Sequence, residues 1–146
     1  MCIRPIVLSD INEQYFDLLS QLTTVDIHVI DKERIQRYFD TLHDHNQIFV
    51  VEDMRSNLVI GTGKVLIEEK LIHNFGKAGH IEDIVIAKQY RGLGLGKAIV
   101  EYLTDYCLMT HNCYKCILNC SVENQRFYER CEYTLNGVEM SLYNRR

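Results

Sequence analysis

At 146 residues, with 47% apolar and 25% charged residues, the chain has the length and composition of one compact domain with a sizeable core. A net charge of −4 argues against a nucleic-acid partner, which needs a basic face, and no apolar run approaches a membrane span. Met1–Ser9 lacks a signal-peptide pattern, so the expected setting is a soluble, cytoplasmic one in which the six cysteines stay free thiols.

Cys2–Leu8 reads as a strand, after which Ser9 or Asp10 can cap a helix bearing Tyr15, Leu18, Leu19 and Leu22 at helical spacing. Thr23–Ile30 breaks that period and reads as a loop. Asp31 can cap a second helix carrying Ile35, Tyr38, Phe39 and Leu42, and both aromatic-bearing stripes read as core. Gln47–Asp53 and Leu58–Glu69 form an antiparallel pair around Arg55-Ser56-Asn57. Lys70–Gly79 reads as a loop or irregular edge leading into Ile81–Ile86, a β-branched run suited to a central buried strand. From Leu95 the period becomes helical, with Leu95, Ala98, Ile99, Tyr102, Leu103 and Tyr106 on one stripe.

A strand over Tyr114–Cys120, a short helix near Asn124–Cys131 and strands near Tyr133–Asn136 and Val138–Tyr143 complete the chain. With no repeat or linker, residues 1–146 read as a single α/β domain: a mixed, largely antiparallel sheet covered by helices. The spacing Cys113-x-x-Cys116-x-x-x-Cys120 has the look of a metal or redox motif. Cys116 and Cys120 fall on a strand, no second ligand pair follows, and a thioredoxin-like pair would open a helix, so packing thiols and no metal are expected.

The most informative stretch is Arg91-Gly92-Leu93-Gly94-Leu95-Gly96-Lys97, set between the central strand and its helix. Strand, glycine turn and helix aim unpaired backbone N–H groups at an anion, and Arg91 and Lys97 add positive charge. A Walker loop fails here, because Arg91 and Ala98 stand where Gly and Ser/Thr are needed. The dinucleotide fingerprint fails as well, the glycines being spaced G-x-G-x-G. The pattern [Q/R]-x-x-G-x-[G/A] is met by Arg91, Gly94 and Gly96, and it resembles the pyrophosphate loop of the GCN5-related N-acetyltransferases (GNAT), which use acetyl-CoA.

The element order resembles the GNAT fold from end to end. Within it, Lys70-Leu71-Ile72-His73, Gly79-His80-Ile81-Glu82-Asp83-Ile84, Asn112-Cys113-Tyr114-Lys115 and Phe127-Tyr128-Glu129 resemble one branch, the glucosamine-6-phosphate N-acetyltransferases. Leu22-Thr23-Thr24-Val25 and Gly137-Val138-Glu139-Met140 add to the likeness.

That resemblance implies acetyl transfer to the amine of glucosamine 6-phosphate, giving N-acetylglucosamine 6-phosphate for UDP-N-acetylglucosamine synthesis. It places Ile84, Val85, Ile86, Arg91, Gly92, Leu93, Gly94, Leu95, Gly96, Lys97, Asn124 and Tyr128 against acetyl-CoA, with Tyr128 as acid to the departing thiolate. It places Thr23, Lys70, Leu71, Ile72, His73, Glu82, Asp83, Tyr114, Lys115 and Tyr143 on the sugar phosphate. Tyr143 stands where the family has a basic residue, and Asn119 where it has an acidic one; Arg145 and Arg146 follow. Glu82 and Asp83, adjacent on a strand, would face opposite ways, and Asn119 would orient the amine without taking its proton. The resemblance also implies direct transfer with no acetyl-cysteine on Cys120, and a homodimer with the C-terminal strand at its interface.

Two other functions are compatible with these residues. One is acetylation of a different amine, a protein terminus or polyamine, which would need an acidic or open groove. The other is a CoA-binding module without catalysis, against which the intact glycine loop and Tyr128 count.

Overall fold

A computed structural model describes residues 1–26 and 30–144; the middle of the loop expected over Thr23–Ile30, and Arg145 and Arg146, lie outside the described residues. Five strands form one sheet in sequence order: β1 (Cys2–Pro5), β2 (Asn46–Asp53), β3 (Leu58–Glu69), β4 (Lys77–Ile86) and β5 (Lys115–Leu118). The first four are antiparallel neighbours, and β5 joins β4 in parallel. The helices are α1 (Glu13–Leu19), α2 (Lys32–Phe39), a single turn α3 (Ile72–Phe75), α4 (Leu95–Asp105) and α5 (Gln125–Glu129). The architecture is the expected mixed, largely antiparallel α/β one.

Alternation along β2 shows why both faces of the sheet are covered. Ile48 and Val50 turn to a cluster with Tyr15 and Leu18 of α1, while Phe49 and Val51 turn to one with Ile99 and Leu103 of α4. A strand buried on both sides reads as a continuous apolar run, as Ile48–Val51 does.

Several element ends differ from the sequence expectation for identifiable reasons. β1 stops at Pro5 because Asp10 draws the chain aside: its carboxylate accepts from Val7 N–H at 2.9 Å and from Arg4 at 2.7 Å. Asp10 is thereby unavailable as a cap, and α1 starts instead at Asn12, whose Oδ1 accepts from Tyr15 N–H. Leu22 lies beyond the helix and is exposed, whereas Val100, outside the expected stripe of α4, is fully buried. Tyr102, expected on that stripe, is 39% exposed. The two strands expected after Tyr133 are absent among the described residues. Their alternating pattern is present, but the segment joins neither open edge of the sheet, β1 or β5, and Val138, Met140 and Leu142 are at least 90% exposed.

Candidate active site

Two irregularities in β4 create the site. Its pairing with β5 runs only from Ala78↔Lys115 to Ile81↔Leu118, so beyond Ile81 the parallel strands part. On the β3 side, the register jumps between Thr62↔Val85 and Lys64↔Glu82, so Asp83 and Ile84 together oppose Gly63. Asp83 has φ +53°, a left-handed conformation that breaks the strict strand alternation expected for Glu82 and Asp83. Asp83 opens toward an apolar cavity of about 300 Å³ under α1 and α2, whose rim also carries Lys64 and Tyr38.

Where β4 runs on past its pairing with β5, Ile84–Ile86 meet a cleft of about 730 Å³. Ile84, Val85 and Ile86 form its floor, and Arg91, Gly92, Gly94, Gly96 and Lys97 its rim. Gly92 and Gly94 have φ +79° and +80°, where side chains are strained, and no atom lies within 4 Å of where a Cβ would stand. Gly94 is the N-cap of α4 and supplies no capping side chain, so the first-turn N–H groups are available to an anion. Arg91 Nε donates to Ile86 O at 2.9 Å, anchoring its guanidinium at the cleft. Asn124 and Tyr128 close the opposite wall. Of the residues expected at the cofactor, only Leu93 and Leu95 do not line this cleft: Leu93 is exposed, and Leu95 packs on the core beneath α4.

Sequence reasoning missed Gln21, Leu22, Phe127, Arg130 and Cys131, which also line the cleft. Phe127 was legible as a second face of α5, and Arg130 as a third cation beside an anion loop, whereas Cys131 lies in the turn beyond α5. Gln21 was not legible. It reaches the site because its Oε1 accepts from Lys88 N–H at 2.8 Å across 67 residues, tying the end of α1 to the start of the glycine turn.

Tyr128 lines this cleft and a second one of about 520 Å³, shared with Asn119, Cys120 and Tyr133. Burial, reinforced by Cys120 and Cys131, raises the pKa of its phenol above the ordinary value, so the group stays protonated at neutral pH and can act as a donor. Its ring packs edge-on against Phe127 at 4.9 Å and Tyr133 at 6.4 Å.

The residues expected on the sugar phosphate are not gathered in this cleft. Thr23 is exposed just beyond α1, and Tyr143 is exposed in the C-terminal segment. Glu82 is half-buried on β4. Lys70 and His80 both bind Glu68, the latter at 3.0 Å, and these hydrogen bonds lower the Glu68 pKa, Lys70 contributing more. His73 stacks on Tyr114 at 4.2 Å between centroids, and the Lys115 ammonium stands 5.7 Å from the same ring. His73, Asn74 and Phe75 are all left-handed, which leaves Leu71, Ile72 and Phe75 exposed. Lys70, His73, Tyr114 and Lys115 thus form one surface group at the far end of the β4–β5 pairing.

Comparison with known proteins agrees with this geometry. Residues 10–133 match the model of the acetyltransferase (GNAT) family. The chain is 42% identical over 144 residues to the glucosamine 6-phosphate N-acetyltransferase of Arabidopsis thaliana, covering 97% of this chain and 95% of that one. It is 41% identical over 138 residues to the enzyme of that name from Candida albicans, covering 94% and 91%. The crystal structure of the Arabidopsis thaliana enzyme superposes with a TM-score of 0.90 at 41% identity, covering 97% of each chain. The chain therefore belongs to the GNAT acetyltransferase family, in the branch that contains these plant and fungal enzymes.

Proposed function

We propose that the protein transfers the acetyl group of acetyl-CoA to the amine of glucosamine 6-phosphate. The observation that carries this reading is the junction at Tyr128, where a cleft rimmed by unpaired N–H groups and cations meets the point at which β4 and β5 part. The substrate class comes from the relatives, which share the name glucosamine 6-phosphate N-acetyltransferase and align over almost the whole chain.

In this reading the glycine rim holds the pyrophosphate of acetyl-CoA, and Arg91, Lys97 and Arg130 balance its charge. The thioester lies against Ile84–Ile86, and backbone N–H groups of β4 left without a β5 partner stabilise the tetrahedral oxyanion. The deprotonated amine attacks the carbonyl carbon, a C–N bond forms, and the C–S bond breaks as the intermediate collapses. The thiolate takes the proton of the Tyr128 phenol, the attacking nitrogen gives up its second proton, which returns to the phenolate through water, and holding both substrates side by side supplies much of the rate. Asn119 orients the amine through its amide oxygen, and Glu82, Asp83 or a water chain removes the proton.

The sugar phosphate then requires a second copy of the chain. Among the described residues, the group around His73, Tyr114 and Lys115 and the exposed Tyr143 line neither of the two clefts that Tyr128 lines. The exposed alternation Val138, Met140, Leu142 supplies an unpaired strand for a homodimer interface, and the product enters UDP-N-acetylglucosamine synthesis in the cytoplasm.

The test is acetyl-CoA turnover with glucosamine 6-phosphate beside glucosamine, glucosamine 1-phosphate and a panel of peptides and polyamines. The expected result is a kcat/KM for glucosamine 6-phosphate about 100-fold or more above the others, since an unfilled phosphate site leaves buried polar groups unpaired. Equal rates on peptides or polyamines would move the protein to another amine; acetyl-CoA binding with no turnover would make it a binding module.

A further inference from the structure

Three thiols, none of which lines either cleft, gather where the end of α4 passes over β4 and β5. After α4 the helix widens into a π turn, Tyr106–Thr110, which places Cys107 directly on Gly79. A Cβ at Gly79 would stand 2.5 Å from Cys107 Sγ and 3.7 Å from Cys113 Sγ, so only glycine lets the thiols come this close. Cys116 is the β5 residue paired with Gly79, which sets its side chain beside Cys107 on the same face of the sheet, packed against the same core.

A hydroxyl reaches the same sulfur. Tyr133 OH donates to Cys116 Sγ at 3.3 Å, and its oxygen lies 2.7 Å from Thr104 Oγ1, which itself donates to Val100 O at 2.8 Å. A thiol sulfur is a weak acceptor, whereas a thiolate is a strong one, so the Tyr133 hydroxyl favours charge on Cys116, while the full burial of Cys107 favours its neutral thiol. Burial and the neighbouring sulfurs hold Cys113 as a neutral thiol, with Lys77 opposing weakly. Cys107 is completely buried and Cys116 half-buried, so a small oxidant meets Cys116 first.

We propose that Cys107 and Cys116 form a peroxide-oxidisable dithiol, a covalent modification site that joins the π turn to β5. The Cys116 thiolate attacks one oxygen of a hydroperoxide, breaking the O–O bond, leaving sulfenic acid on Cys116 and releasing hydroxide. The Cys107 sulfur then displaces the sulfenyl oxygen, which leaves as water with the thiol proton. Two sulfurs are oxidised to a disulfide and the two peroxide oxygens are reduced to water. The site is not the Cys113/Cys116/Cys120 spacing visible in the sequence, because only the fold brings Cys107 beside Cys116.

The test uses the wild-type protein, with exposed Cys2 and Cys120 first alkylated under native conditions. Hydrogen peroxide should then lower the intact mass by about 2 Da, the two thiol hydrogens, reversibly with dithiothreitol. Trypsin, cutting after Lys97, Lys115 and Arg126, should yield a cross-linked peptide pair whose fragmentation places the bond at Cys107 and leaves Cys113 free. In Cys107→Ala the sulfenic acid has no resolving thiol, and dimedone capture at Cys116 should rise about tenfold over wild type. A bond from Cys113, a sulfinic acid on Cys116 beside an intact Cys107 thiol, or no mass change would each overturn the proposal. Should Cys107→Ala not fold, the wild-type peptide map decides alone.

Discussion

Arg91, Gly94 and Tyr128 are supported by elements of their own chain, whereas Leu71, Ile72 and Tyr143 stand largely exposed. The first group is fixed by the separation of two strands, a left-handed helix cap and edge-on ring packing, all of which form as the chain folds. The second stands with Lys70, His73 and Lys115, which have the donors for recognising a sugar phosphate, but little of the enclosure that such recognition requires. A cofactor site completed within one chain and an acceptor site completed between two would show this contrast, and each side of it can be attacked separately.

The largest effect is expected at the glycine rim. Gly94 has φ +80°, which costs other residues about 1–2 kcal/mol, and its Cβ would occupy the open space assigned to the pyrophosphate. Gly94→Val should therefore weaken acetyl-CoA binding at least 100-fold in calorimetric titration, while circular dichroism shows a folded protein. Unchanged affinity in the folded variant would remove the rim from the cofactor site and dissolve the contrast.

Tyr128→Phe keeps the ring packing on Phe127 and Tyr133 but deletes the proton donor. We expect kcat to fall by about 10²–10³, within the range for general acids, with acetyl-CoA affinity kept. The pH dependence has a determined sign. The phenol acts while protonated, and burial raises its pKa above the ordinary 10.0, so an alkaline limb owed to Tyr128 must lie above pH 10. A full-activity Phe variant would pass the role of acid to another group.

The contrast also decides what could be read from sequence. The hairpin of β2 and β3 was legible because alternation and the turn Arg55-Ser56-Asn57 are local, and the strand bounds Leu58–Glu69 are the expected ones. The glycine rim was legible because it is one continuous stretch. Gln21 was not, since its place depends on a hydrogen bond across 67 residues. Neither was the start of α1, where Ser9, Asp10 and Asn12 all have capping side chains, and the engagement of Asp10 with Arg4 and Val7 N–H leaves Asn12 to accept from Tyr15 N–H. The C-terminal alternation was read as strand because pattern reports what a segment can pair with, not whether it joins an open sheet edge in the same chain.

On the other side of the contrast, replacing the exposed apolar residues of that segment should alter assembly and spare cofactor binding. Met140→Asp with Leu142→Asp places two carboxylates where an apolar partner strand face is expected. Sedimentation should show a dimer for the wild type and dissociation at least 10-fold easier in the variant, with acetyl-CoA affinity unchanged and sugar turnover reduced. A wild-type monomer that turns over glucosamine 6-phosphate would show that one chain completes both halves.

The smallest effect is expected at Asn119, which tests whether the acceptor half begins inside the chain at all. It lines the second cleft beside Tyr128 and Tyr133, so its amide is within the cavity next to the proposed acid. An amide oxygen can accept an N–H bond from the amine, but it cannot take the proton near neutral pH. Removing one neutral hydrogen bond costs about 1 kcal/mol, so Asn119→Ala should raise KM for the sugar about fivefold and leave kcat within a factor of about two. Glu82→Gln and Asp83→Asn then separate orientation from proton removal. If either carboxylate is the base, its variant loses the acidic limb of the pH–rate profile and most of kcat, while Asn119→Ala keeps that limb. A kcat loss of about 100-fold in Asn119→Ala, with KM unchanged, would instead make Asn119 part of the transition-state machinery and break the assignment of orientation to it.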